Sequence, residues 1–174
     1  MTAGYGKGMD PEEGLTVNKG DFELGSLEDE LRVDELCRKL LQRFYLQLME
    51  EGMTPAEATT LADSADYFVR DFVVAVKQRN IFAERAGIVR QFAGNWYIIS
   101  NMEPDIRQLS AHLDGIKAFY RFLHGHKLLS DPFMMQVEGE CGDIAYYESR
   151  IGSFLEITGD GYGVWERECT LKGN

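Results

Sequence analysis

The chain has 174 residues, 44% of them hydrophobic and 11% aromatic, and a formal net charge of −11. That length fits one domain with a real core, and the charge repels nucleic acid at long range, so any phosphate contact has to come from a local basic face. No stretch approaches about 18 consecutive apolar residues and no basic-then-apolar leader opens the chain, so neither a membrane span nor a secretory signal is expected. Residues 1–30 carry −6, residues 31–130 carry +1 and residues 131–174 carry −6, so the acidity sits at the ends. The cysteines, Cys37, Cys141 and Cys169, are odd in number and far apart, which reads as a reduced, cytoplasmic protein rather than a disulfide scaffold.

Residues 1–25 are rich in glycine and acids without apolar periodicity, and read as a flexible arm that Phe22 and Leu24 anchor at its end. Ser26 caps a first helix with Glu28, Asp29 and Glu30 in its first turn, and Val33, Leu36, Cys37, Leu40, Leu41, Phe44 and Leu48 follow at helical spacing up to Gly52. Thr54-Pro55-Ala56-Glu57 opens a second helix with a capping threonine, proline at the first position and glutamate three after the cap. That helix is expected to end near Arg79-Asn80. In residues 81–100 the spacing predicts a short helix through about Phe92, while Trp96–Ile99 is a bulky run of the kind strands favour.

Ile106, Leu109, Leu113, Ile116, Tyr120 and Leu123 alternate spacings of three and four, and Phe119 and Phe122 widen the stripe. Such a helix needs partners on more than one side and is the expected centre of the bundle. Its start is signalled either by Ser100 with Glu103 or, later, by Pro104, and Gly125 ends it. Asp131-Pro132 reads as a turn, and Asp143 as the cap of a further helix carrying Ile144, Tyr147, Ile151, Phe154 and Leu155. Residues 157–174 read as a turn and tail around Gly159–Gly163, with Val164-Trp165 either folding back or loose.

One order of signals is recognisable. A helix ending in Glu-Glu-Gly leads into Met53-Thr54-Pro55-Ala56-Glu57-Ala58, then a helix with Tyr67-Phe68 and Asp71-Phe72, and later Ile116–Leu123 followed by Leu128-Leu129-Ser130-Asp131-Pro132. Over about Leu31–Pro132 this resembles the SAM-like, core-binding N-terminal domain of tyrosine recombinases (phage integrases). The resemblance implies a mainly α fold, a single orthogonal bundle of about five helices over residues 26–156, and a surface that clamps duplex DNA. It implies the binding half alone. The 42 residues after Pro132 hold no counterpart of the family's arginine, lysine and His-x-x-Arg groups or its nucleophilic tyrosine, and His124-Gly125-His126-Lys127 is not that motif. No enzyme activity and no cofactor are expected.

The candidate phosphate contacts are Arg70, Lys77 and Arg79 at the end of the second helix, Arg107, Lys117 and Arg121 along the central helix, and Lys127 beyond it. A solvated mixed-charge face is the plainer meaning of the same pattern. His124 and His126, with His112 earlier, come nearest to metal-ligand spacing, but no acid or cysteine accompanies them at short range. They read as histidines at a helix C-terminus, where positive charge is favoured, and no metal site is assigned. Two partner classes therefore remain, duplex DNA and, alternatively, a protein that meets a helical module whose DNA surface has been lost.

Overall fold

The computed structural model describes residues 15–168. Residues 1–14 of the expected arm, and Cys169, lie outside them. The chain is mainly α, as its patterning predicts, and no strand forms among the described residues. Among the described residues seven helices form, where about five were expected.

Helix α1, Leu27–Glu50, begins where Ser26 Oγ accepts the Asp29 N–H at 3.1 Å, and buries Val33, Cys37, Leu40, Leu41, Phe44 and Leu48. Gly52, at φ +101°, takes the chain through the left-handed region that turns it back. Helix α2 starts with a complete capping box: Glu57 N–H donates to Thr54 Oγ1, and Thr54 N–H donates to the Glu57 carboxylate. It runs as an α-helix over Pro55–Asp66 and widens into a π-helix over Tyr67–Val74, where Phe68, Val69, Phe72, Val73 and Val74 are all buried. The pair is antiparallel, with Arg70 reaching Asp34 and Gln78 reaching Glu30.

Helix α3 spans 88–100, as Ile88–Gln91, a π-helical Phe92–Trp96 and Tyr97–Ser100. The run Trp96–Ile99, read as strand-like, is thus helical. Tyr97 and Ile98 are fully buried, and the Tyr97 hydroxyl lies at 2.8 Å from Gln108 Oε1, so packing overrides the local preference of these bulky residues.

The central helix α4, Ile106–Gly125, starts at the late end of the expected range Ser100–Asp105, where Asp105 accepts the Arg107 N–H. It buries Leu109, Leu113, Ile116, Phe119, Tyr120, Phe122 and Leu123. Gly115 marks its closest approach to α2, since a Cβ there would lie 2.6 Å from the Leu61 carbonyl oxygen and from Ser64 Cβ.

Asp131-Pro132 opens a helix that the turn reading missed. Helix α5, Asp131–Gly142, is capped by Ser130 and buries Phe133, Met134, Val137 and Cys141. Proline is at home in a first helical turn, which is why the same dipeptide fits a turn or a helix start. Helix α6, Ile144–Leu155, follows at once, and Asp143 makes no side-chain cap on it. Helix α7, Tyr162–Arg167, lays Trp165 into the core at 3% exposure, so the chain folds back beyond the glycine-rich turn.

The last part of the expected arm is docked. Residues Lys19–Phe22 form a 3-10 turn, and Phe22 is buried edge-on against Phe82 with centroids 4.9 Å apart. Arg32 donates to the carbonyls of Asp21 and Glu23, and Asn80 to the carbonyl of Lys19. Phe22, the partly buried Leu15, Val17 and Leu24, and a set of hydrogen bonds hold a segment that shows no periodicity of its own. No helix among the described residues is long and apolar enough to cross a membrane.

Candidate functional site

Four of the seven cations assigned to phosphate contact fall into two groups. Arg70 is fixed by carboxylates: Nε and Nη2 bond Asp34 at 2.9 and 3.2 Å, and Nη1 bonds Asp66 at 3.1 Å. The bonds to Asp34 hold its guanidinium protonated more firmly than usual, against the cost of burial. Lys77 and Arg79 follow it at the end of α2, both partly buried. Arg121 lies on the other group, with Nε 3.0 Å from Glu138, in a recess that Gln47 and Glu51 of α1 also line. From Asp34 to Gln47 is thirteen residues of α1, about 20 Å at the helical rise.

Arg107 and Lys127 are exposed and Lys117 is partly buried, with no acidic partner within 4.0 Å among the described residues. Arg107 sits in the first turn of α4, where a helix dipole opposes a cation. Arg70 and Arg121 therefore meet α1 about 20 Å apart, and acids are interleaved with them.

The histidines part company too. His124 Nε2 is 2.7 Å from Asp131, and His126 Nε2 is 2.7 Å from Gln47 Oε1. His112 lies within the bundle, with Nδ1 3.1 Å from Ser64 Oγ and its ring 5.0 Å from that of Tyr67. Burial pulls its pKa down. Ser64 is itself buried beneath α4, so this serine and histidine pair faces the core rather than an open site. Burial also pushes the thiols of Cys37 and Cys141 up to about 12, which keeps them protonated and poorly nucleophilic.

Compared with known proteins, the chain matches no family, no curated protein and no solved structure.

Two polar clusters escaped the sequence reading. The Glu140 carboxylate of α5 accepts the N–H groups of Gly87 and Arg90 at 3.1 and 2.9 Å, capping α3 from fifty residues away, and Arg90 Nη2 meets Asp143 at 2.7 Å. Arg150 is 4% exposed, donates to the carbonyls of Gly94 and Trp165, and stacks its guanidinium 3.7 Å from the centre of the Trp165 ring. A signal for Arg150 existed: Tyr147, Arg150, Ile151 and Phe154 share the spacing of a buried stripe. For Glu140 there was none, since its partners lie on another helix.

The widest aromatic cluster joins the two π-helical stretches. Trp96 lies 5.3 Å from Tyr67 and 5.4 Å from Phe72, and Phe92 is 5.3 Å from Phe68. Trp96-Tyr97 is thus packed into the bundle, and Tyr97 is fully buried. At the surface, Leu27 and Leu31 stand one turn apart on α1 at 72% and 67% exposure.

Proposed function

We propose that this chain is a non-catalytic helical binding module, and that its partner is a protein. The observation that carries the reading is the pair Leu27 and Leu31, two large apolar side chains held in water on the first two turns of α1. Singly exposed leucines are ordinary, but two in register on one helix offer the anchors of a helix-to-groove contact. The pairing of Arg70 with Asp34 and Asp66, and of Arg121 with Glu138, counts in the same direction, because each pair would have to be opened before phosphate could replace it. The inaccessible Ser64 and the protonated thiols support a role without covalent chemistry. A reduced, cytoplasmic setting belongs to the same proposal and rests on the free, buried Cys37 and Cys141.

The second reading is the one the resemblance to recombinase core-binding domains implies, weak clamping of duplex DNA. It is favoured by Arg107, Lys117 and Lys127, which keep their charge without an acid beside them. A titration of the intact chain with fluorescent duplex at two salt concentrations separates the two. The protein-partner reading expects no saturable binding even at low salt. Binding that falls steeply with salt and disappears on charge reversal at Arg107, Lys117 and Lys127 would overturn it, since each neutralised phosphate releases counterions.

A further inference from the structure

A groove runs between the docked segment 15–22 and α1, with a volume of ≈ 320 Å³. Leu15 and Val17 form one wall and Leu36 and Leu40 the other, and Lys39 and Arg43 stand on the α1 side. The size and the apolar walls are those of a small-molecule site, where a few polar groups set orientation.

Arg43 is the unusual member. Its side chain is only 14% exposed, and its nearest acid, Glu50, lies at 4.0 Å. Its Nε is buried and has no hydrogen-bond partner among the described residues. Arg90 Nε and Arg150 Nη2 are likewise buried without a partner among the described residues, but those guanidiniums, like that of Arg70, make other bonds of between 2.7 and 3.2 Å, whereas Arg43 has only its contact with Glu50. A guanidinium cannot shed its proton in a protein, so an unmatched donor held out of water is costly until an acceptor arrives. An oxygen anion supplies that acceptor, and a planar carboxylate fits a guanidinium edge best.

The charge around the groove sets the valence. Lys39 and Arg43 bring two positive charges and Asp21, on the opposite lip, one negative charge. The site therefore favours a single negative charge over a phosphate dianion. We propose that this groove binds a small apolar monocarboxylate, its carboxylate on Arg43 and Lys39 and its hydrocarbon body between Leu15, Val17, Leu36 and Leu40. The proposal is independent of the protein-partner reading, because Leu27 and Leu31 do not line the groove.

The test is a titration of the full chain with hexanoate, followed by the methyl NMR signals of those four residues, with hexanamide as the uncharged isostere. Hexanoate is expected to shift the four sets of methyls saturably, and hexanamide to bind about tenfold more weakly or not at all. Arg43→Gln should weaken hexanoate by about tenfold and leave hexanamide unchanged. Lys39→Gln, at an exposed position, should give a smaller loss and stands in if Arg43→Gln fails to fold. Equal binding of the acid and the amide would overturn the proposal. So would an unchanged affinity in both variants, shifts spread over other apolar surface, or no saturable shift at millimolar hexanoate.

Discussion

The α1–α2 hairpin with α4, and the assembly of α3 with α5, α6 and α7, solve the same problem in different ways. Each has helix ends and apolar faces to satisfy. In the first region the solutions are local: Ser26 caps α1, the Thr54 and Glu57 box caps α2, and Asp105 caps α4, each within three residues of its partner. In the second, the start of α3 depends on Glu140, its Gly94 carbonyl on Arg150, and α7 on the same guanidinium. Buried charge with distant partners closes the start of α3 in the second region, where short-range caps close the helix starts of the first, whose long-range pair of Arg70 with Asp34 is only partly buried. Such charges are costly to strand, so the second region tolerates polar loss less well than the first.

The contrast can be tested by damaging one side at a time. The largest effect is expected from the shared apolar core. Leu113→Ala on α4 should cost about 2–5 kcal/mol in urea denaturation, because Leu113 is buried and its neighbours cannot collapse fully into the space. Trp96 and Trp165 both lie in the second region, so their fluorescence should follow the same transition as the far-ultraviolet circular dichroism. Two separated transitions would mean that the regions are thermodynamically independent.

Next comes the comparison of caps. Glu140→Gln removes a buried charge that two N–H groups share, and should cost about 1–3 kcal/mol. Thr54→Ala, at an exposed cap, should cost about 1 kcal/mol. Amide exchange at Gly87 and Arg90 should accelerate only in the first variant. If Thr54→Ala proves the more damaging, the contrast between local and distant capping is lost.

The smallest effect is a pH dependence. His112 touches both regions, bonding Ser64 on α2 while its ring lies 5.8 Å from that of Tyr97 on α3. Burial holds its folded pKa below the ordinary 6.5. Between those two values the unfolded chain binds more protons than the folded one. The stabilising contribution of the neutral imidazole is therefore present above pH 6.5 and is lost as pH falls through the depressed folded value. Melting temperature should drop over that window in the parent and stay flatter in His112→Gln. Equal slopes would show that the ring accepts its proton without penalty in the fold.

The same division explains what could be read in the sequence. The α2 capping box, the α4 stripe and the α1 stripe each depend on residues less than about seven apart, and their patterns are unambiguous. Helix α5 was missed because Ser130-Asp131-Pro132 serves a turn and a helix start equally well. The end of the helix through Phe92 stays open in the sequence because the strand preference of Trp96–Ile99 is local, while the burial of Tyr97 and Ile98 depends on the fold around them. The docking of residues 15–25 rests on Phe82, Asn80 and Arg32, none of them nearby in sequence. Among the candidate cations, residue type could be read but neutralisation could not. Arg70 and Asp34 are 36 residues apart, and Arg121 and Glu138 are 17 apart.

The cap that Glu140 places on Gly87 also orders events during synthesis. A ribosome delivers the chain from its N-terminus, and structure forms as segments emerge. The α1–α2 hairpin has its caps and its ion pair from Arg70 to Asp34 once residue 78 is free. The first turn of α3 must wait for another sixty residues or so, because the carboxylate that closes it lies 53 positions downstream of Gly87. During that interval Ile88, Val89 and Phe92, all buried in the finished protein, are attached to an unfinished helix start. Those apolar groups wait for α5 to emerge before the helix start that carries them is closed.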